Sequence, residues 1–152
     1  MKKKTAPAMT VVSKEVRTTL KDMMKNIEDF PQEIVKEAVQ AGLHPTGPQC
    51  WIYTWETDDM EAEFDLKICL PVATFGKSFS NDKFKLEKLE EYVHVKKTHL
   101  GAWENLKDSY EALMKEMKTG NVVPGQSCRE LYINCDFEAP SNNITEIQFQ
   151  VS

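Results

Sequence analysis

Hydrophobic positions recur along this chain with two periods, and the change from one to the other divides it into strands and helices. At residues 50 to 55 the sequence CWIYTW repeats an aromatic at every second position. Alternate residues of a strand share one face of a sheet, so Trp51, Tyr53 and Trp55 are predicted on one side and Cys50, Ile52 and Thr54 on the other. The same alternation runs through EFDLKICLPV at 63 to 72, with Phe64, Leu66, Ile68 and Leu70 in phase. MTVVSKEVR at 9 to 17 has the β-branched content of a first strand. EEYVHVKKTH at 90 to 99, CRELYIN at 128 to 134 and ITEIQFQV at 144 to 151 complete a set of about six strands.

Helical spacing appears twice. In FPQEIVKEAVQAG the residues Ile34, Val35, Ala38 and Val39 form an apolar stripe, with Asp29 in the N-cap position, Pro31 in the first turn and Gly42 at the end. In GAWENLKDSYEALMKEMKTG the stripe is Trp103, Leu106, Tyr110, Leu113, Met114 and Met117, ending at Gly120. The stretch ATFGKSFSNDKFKLEK at 73 to 88 reads as a linker or an edge excursion, and residues 1 to 8 as a flexible N-terminus.

The order strand, helix, strand, strand therefore occurs twice, in halves of about 9–72 and 90–151. FDLKICL lies over TEIQFQV without a gap, pairing Asp65 with Glu146 and Leu66 with Ile147, and HPTGPQC at 44 to 50 parallels VVPGQSC at 122 to 128. One supersecondary unit used twice predicts an α+β fold: antiparallel sheet, two main helices on one side, and a central groove between the repeats. The 152 residues, 41% hydrophobic, suit a single domain over 9–152.

Charge and composition narrow the chemistry. A net charge of −5 argues against a general nucleic-acid binder, since phosphate backbones are held by clustered Lys and Arg. The four cysteines form no CxxC pair and the three histidines have no ligand-like spacing, so neither a metal nor another cofactor is expected. The basic start MKKK has no apolar segment behind it, and no apolar run approaches the ~18 residues of a membrane span. A cytoplasmic protein with reduced thiols is the expectation.

The segments AGLHPTGPQCWIY, FDLKICLPV, VKKTHLGAWENLKDSYEALMKEM, GQSCRELYIN and TEIQFQV, taken in that order, resemble the GyrI-like effector-binding domain. This domain also occurs as the ligand-binding part of AraC-type and MerR-type multidrug regulators. The resemblance implies a groove that binds small, often cationic and aromatic molecules. It implies a groove glutamate on the last strand, at Glu146, and an aromatic wall of Tyr53 with Trp51 or Trp55. Trp103 and Tyr110 are further ligand-binding candidates, set against the ordinary role of such a stripe on an amphipathic helix, which is to be buried in the core. No helix-turn-helix pattern flanks the domain, so the resemblance is to stand-alone members that sense or sequester a ligand. It further implies two alternatives, a small-molecule hydrolase using a groove glutamate and a protein-interaction module with a partner such as DNA gyrase or a regulator.

Physical chemistry supports the cationic expectation. An aromatic face attracts a cation by about 0.5 to 2 kcal/mol. A carboxylate in the same apolar groove would need a partner to stay ionised, and a cationic ligand supplies one.

Overall fold

The computed structural model describes residues 1–152. Nine strands and three helices follow in the order β1 (Lys4–Ala6), β2 (Met9–Thr18), α1 (Met23–Asn26), α2 (Phe30–Gln40), β3 (His44–Pro45), β4 (Cys50–Thr54), β5 (Phe64–Ala73), β6 (Lys85–Leu89), β7 (Tyr92–Leu100), α3 (Leu106–Thr119), β8 (Pro124–Asn134) and β9 (Ile144–Val151). The sheet is antiparallel at each pairing, in the order β1-β7-β9-β8-β4-β5-β2-β6, with β3 paired to β5. The duplicated α+β architecture expected from the sequence is present.

Connectivity requires the sheet to curl. Only Glu90 and Glu91 separate β6 from β7, yet these strands lie near opposite ends of the strand order. Such a link spans about 10 Å at most, so the two ends of the sheet bend towards each other. The sheet thus has an outer face that carries the helices and an inner face within the curl.

Strand phase assigns residues to these faces. On the outer face α2 buries Ile34 and Ala38 against Val12, Leu66, Ile68 and Leu70, while α3 buries Leu113 and Met117 against Val95, Ile147 and Phe149. Burying each large aliphatic side chain contributes about 1.5–3 kcal/mol. Val11, Cys50, Cys69 and Leu89 form a smaller cluster on the inner face. Tyr53 and Trp55, on and just after the central β4, pack against both outer clusters and so mark the seam between the repeats.

The helix ends follow backbone chemistry. Asp29 occupies the cap position of α2 but makes no side-chain cap hydrogen bond. Gly42 has φ +83°, and the Gly42 and Leu43 N–H groups donate to Val39 O and Ala38 O, a Schellman closure that sends Leu43 into the core. On α3 the same closure falls one residue later than expected. Gly120 keeps a negative φ, and Asn121 takes the left-handed position at φ 55°, with Val122 N–H donating to Met117 O.

The 73–88 stretch, read as a linker or an edge excursion, carries most of β6, an edge strand that pairs with β2 from Met9↔Leu89 to Ser13↔Lys85. Its KLEKL sequence places Leu86 against the outer cluster and Leu89 in the inner one, with Lys85 and Lys88 left exposed, so two leucines on opposite faces give it no apolar alternation. Lys4–Ala6, expected in the flexible N-terminus, instead forms β1 against β7, held by backbone pairing that side-chain pattern does not reveal. No helix is long and apolar enough to cross a membrane.

Candidate functional site

The site forms where β4 and β8 join the two halves of the sheet. Their register sets Trp51 opposite Glu130 and Tyr53 opposite Cys128, and β8 in turn sets Glu130 opposite Ile147 and Cys128 opposite Phe149. Directly opposed residues of antiparallel strands project to the same side. Ile147 and Phe149 pack beneath α3, so Glu130 also points outward, into the seam between α2 and α3.

Glu130 is only 7% exposed, and three phenols donate to its carboxylate. Tyr132 reaches Oε1 at 2.7 Å, Tyr53 reaches the same oxygen at 3.2 Å, and Tyr110 from α3 reaches Oε2 at 2.5 Å. Burial, then the neighbouring Glu130 charge, pushes the Tyr53 phenol well above its ordinary value of 10. Burial likewise raises Tyr110 and Tyr132, with the nearby Cys128 and Tyr53 respectively as the next contributors. All three therefore remain protonated donors near neutral pH. None of the ion pairs in the structure includes Glu130; its partners are the neutral phenols.

Above this carboxylate lies a cavity of about 530 Å³, bounded by α3 and by the loop between β4 and β5. Tyr53 and Phe64 pair at 5.8 Å between ring centroids, and Trp55 and Phe149 at 5.6 Å, giving the cavity a ring-lined wall. Met114 and Met60 add flexible apolar surface, and Asp58, Asp59, Glu63 and Lys107 bring charge to its lining. The Cys128 thiol also lines it, but burial pushes its pKa up to about 12.

Of the residues singled out from sequence, Tyr53, Trp55 and Tyr110 line this cavity, whereas Trp51, Trp103 and Glu146 do not. Trp51 shares the outer face but stands edge-on to Tyr132 at 5.0 Å, with its indole N–H donating to Gln49. Trp103 contacts the same Tyr132 ring at 5.7 Å and donates to Thr145 Oγ1. The two tryptophans thus clamp Tyr132, which supports Glu130 from behind.

Glu146 corrects the expectation most sharply. It pairs with Leu131 and Thr98 on the inner face, its Oε1 lies 3.6 Å from the Lys96 ammonium, and Gln148 donates to its Oε2 at 2.7 Å. The reason is phase: β9 turns Ile147, Phe149 and Val151 outward onto α3, so Glu146, Gln148 and Gln150 must face inward. The cavity carboxylate comes from the neighbouring strand. Glu130 could have been found from CRELYIN, where it shares a strand face with Cys128 and Tyr132, both residue types that favour burial.

Comparison with known proteins agrees with this architecture. The model of the GyrI-like small molecule binding domain matches residues 1–152. The C-terminal domain of EcmrR superposes with a TM-score of 0.78 at 24% identity, covering 99% of this chain and 96% of that one. In the EcmrR–DNA complex the chain spans 56% of the EcmrR polypeptide, at 25% identity and a TM-score of 0.77. SAV2435 bound to tetraphenylphosphonium shares the fold with a TM-score of 0.61 at 16% identity, over 99% of this chain and 93% of that one. A hydrolase encoded by lin2189 from Listeria innocua does so with a TM-score of 0.71 at 12% identity, over 99% and 91%. No curated protein sequence matches the chain. With the family model matched from the first residue to the last, on a duplicated fold with a cavity at its seam, the chain belongs to the GyrI-like family of small-molecule-binding domains.

Proposed function

We propose that the protein binds an amphipathic organic cation in the cavity above Glu130, as a sensor or sequestering protein for such compounds. The observation that carries this reading is a buried carboxylate with neutral phenols as its partners and aromatic rings around it. Taking such a charge out of water costs several kcal/mol unless a counter-charge arrives. An aromatic cation supplies that counter-charge and places apolar surface against Tyr53, Trp55 and Phe149. The fold shared with SAV2435, which binds tetraphenylphosphonium, lends support.

The alternative hydrolytic reading has less behind it. Both Glu130 oxygens already accept hydrogen bonds from phenols, and the raised Cys128 thiol is a poor nucleophile at neutral pH.

Fluorescence titration with tetraphenylphosphonium, read from Trp55 in the wall, tests the proposal against neutral triphenylphosphine oxide. The cation should bind more tightly, and Glu130→Gln should remove most of that preference. Equal affinity for the two compounds in the unmodified protein would overturn it.

A further inference from the structure

We propose that the inner face of the curled sheet holds a second site, behind the cation cavity, for a small oxyanion that keeps a hydroxyl at neutral pH, of the hydrogen phosphate or hydrogencarbonate kind. Its basis is a buried guanidinium without a counter-charge beside a buried amide oxygen without a donor. Neither group belongs to the cavity above Glu130, so the two sites are independent.

Arg129 and Gln148 are directly opposed on β8 and β9. Their side chains leave the sheet about 5 Å apart. Both face inward, because their strand neighbours Glu130, Ile147 and Phe149 face outward. Arg129 is 4% exposed and Gln148 6%. The Arg129 Nε–H has no acceptor, and the Gln148 Oε1 has no donor. A guanidinium stays charged in a protein, so burial does not remove its need for a partner.

The chain itself does not supply that partner. Arg129 enters none of the ion pairs. The Tyr92 ring, centred 3.9 Å from the guanidinium carbon, compensates the charge in part. Glu146 on the same face is already engaged: its Oε1 lies 3.6 Å from the Lys96 ammonium, and Gln148 Nε2 donates to its Oε2 at 2.7 Å. Register sets Lys96 opposite Gln148 as well, so one row across the sheet reads Lys96, Gln148, Arg129. Two cations share one carboxylate there, which leaves one positive charge over. Beyond Arg129 the row continues with Ile52, which brings no charge.

The two orphan groups define the ligand. An anionic oxygen meets the Arg129 Nε–H, and a hydroxyl of the same ligand donates to Gln148 Oε1. Water would satisfy both hydrogen bonds but bring no charge to Arg129. Sulfate, fully deprotonated at neutral pH, would bring charge but set a lone pair against Oε1. The depth of both side chains keeps the ligand small. Lys96, with its side chain 42% exposed, stands at the solvent end of the row and adds positive potential at the approach.

Calorimetric titration of the full chain at neutral pH and constant ionic strength tests this with phosphate, hydrogencarbonate and sulfate. Phosphate or hydrogencarbonate should bind saturably, at about one per chain, and at least about tenfold more tightly than sulfate, the discrimination that one hydrogen bond supplies. Their relative affinities tell a tetrahedral from a planar ligand. Arg129→Met keeps an apolar stem over Tyr92 and should abolish binding. Gln148→Glu sets a carboxylate of the chain opposite Arg129 and should abolish it too. Thermal unfolding checks that both variants fold cooperatively, and the oxyanion that raises the midpoint of the unmodified chain should leave theirs unchanged. Without oxyanion, Arg129→Met should unfold at or above the unmodified midpoint, because the charge it removes is unpaired. No saturable binding of either protonated oxyanion, equal affinity for sulfate, or binding that survives either substitution would overturn the proposal.

Discussion

The phenol of Tyr110 on α3 donates to the carboxylate of Glu130 on β8 across 2.5 Å, tying the second helix to the sheet at the floor of the cavity. The same contact therefore serves the fold and the site. A hydrogen bond to a charged group contributes about 1.5–3 kcal/mol.

Tyr110→Phe should accordingly lower stability by about 1–2 kcal/mol. In a Glu130→Gln background the same change should cost distinctly less, because the charged acceptor is gone. Urea denaturation of the two single variants and the double variant measures this coupling, and additive losses would show that the bond contributes no charge-assisted strength. Glu130→Gln should also weaken tetraphenylphosphonium by about ten- to a hundredfold, or 1.4–2.8 kcal/mol, while neutral triphenylphosphine oxide changes little.

A pH prediction concerns the tyrosines, of which the chain has four. Burial is the leading cause in each case, and Tyr53, Tyr92, Tyr110 and Tyr132 are all raised above the ordinary value of 10. A raised pKa in the folded state means that the neutral phenol is favoured there. The associated stability is fully present below pH 10 and is lost as the pH climbs above it, where unfolded phenols ionise first. Absorbance at 295 nm should show almost no phenolate near pH 10 and then a steep rise that coincides with loss of near-ultraviolet dichroism. A tyrosine that titrates near pH 10 in the folded protein would contradict this.

The thiols divide by burial. Cys50, Cys69 and Cys128 are buried, and burial pushes Cys50 up to about 11 and Cys128 to about 12, with Cys69 raised as well. Cys135 is exposed. Ellman's reagent at pH 8 should react with one thiol per folded chain, and with the remaining three only in denaturant. Rapid reaction of a second thiol without denaturant would mean that the cavity wall at Cys128, or the inner face at Cys50 and Cys69, opens readily.

Much of this fold was legible because its core elements carry clean periods. The stripes of α2 and α3 and the alternation in β5 each bury one face, and period alone then reveals direction and phase. The site was harder to read because burial on β8 has no phase. Arg129 and Glu130 are adjacent and both are less than a tenth exposed, one on each face, with the Arg129 guanidinium 3.9 Å from the centre of the Tyr92 ring. A strand covered on both sides gives no alternation of polar and apolar residues, so Glu130 does not stand out from its neighbours. Among the aromatics, alternation places Trp51, Tyr53 and Trp55 together but does not show that Tyr132 would fill the space in front of Trp51.

Glu146 offers the most direct check on strand phase. It lies on the inner face beside Lys96, and its side chain is 22% exposed against 42% for the lysine. A partly solvated pair of this kind contributes at most about 1 kcal/mol. Glu146→Gln should therefore cost less than that in stability and change tetraphenylphosphonium affinity by less than about twofold. Glu130→Gln, one strand away but on the opposite face, should abolish most of the cation preference. The contrast is sharp because a slip of one residue in the β8–β9 register would exchange the two faces and bring Glu146 to the cavity. Equal losses from both substitutions, measured side by side by calorimetry, would mean that both carboxylates reach the ligand, which a strand with Ile147 and Phe149 buried under α3 does not permit.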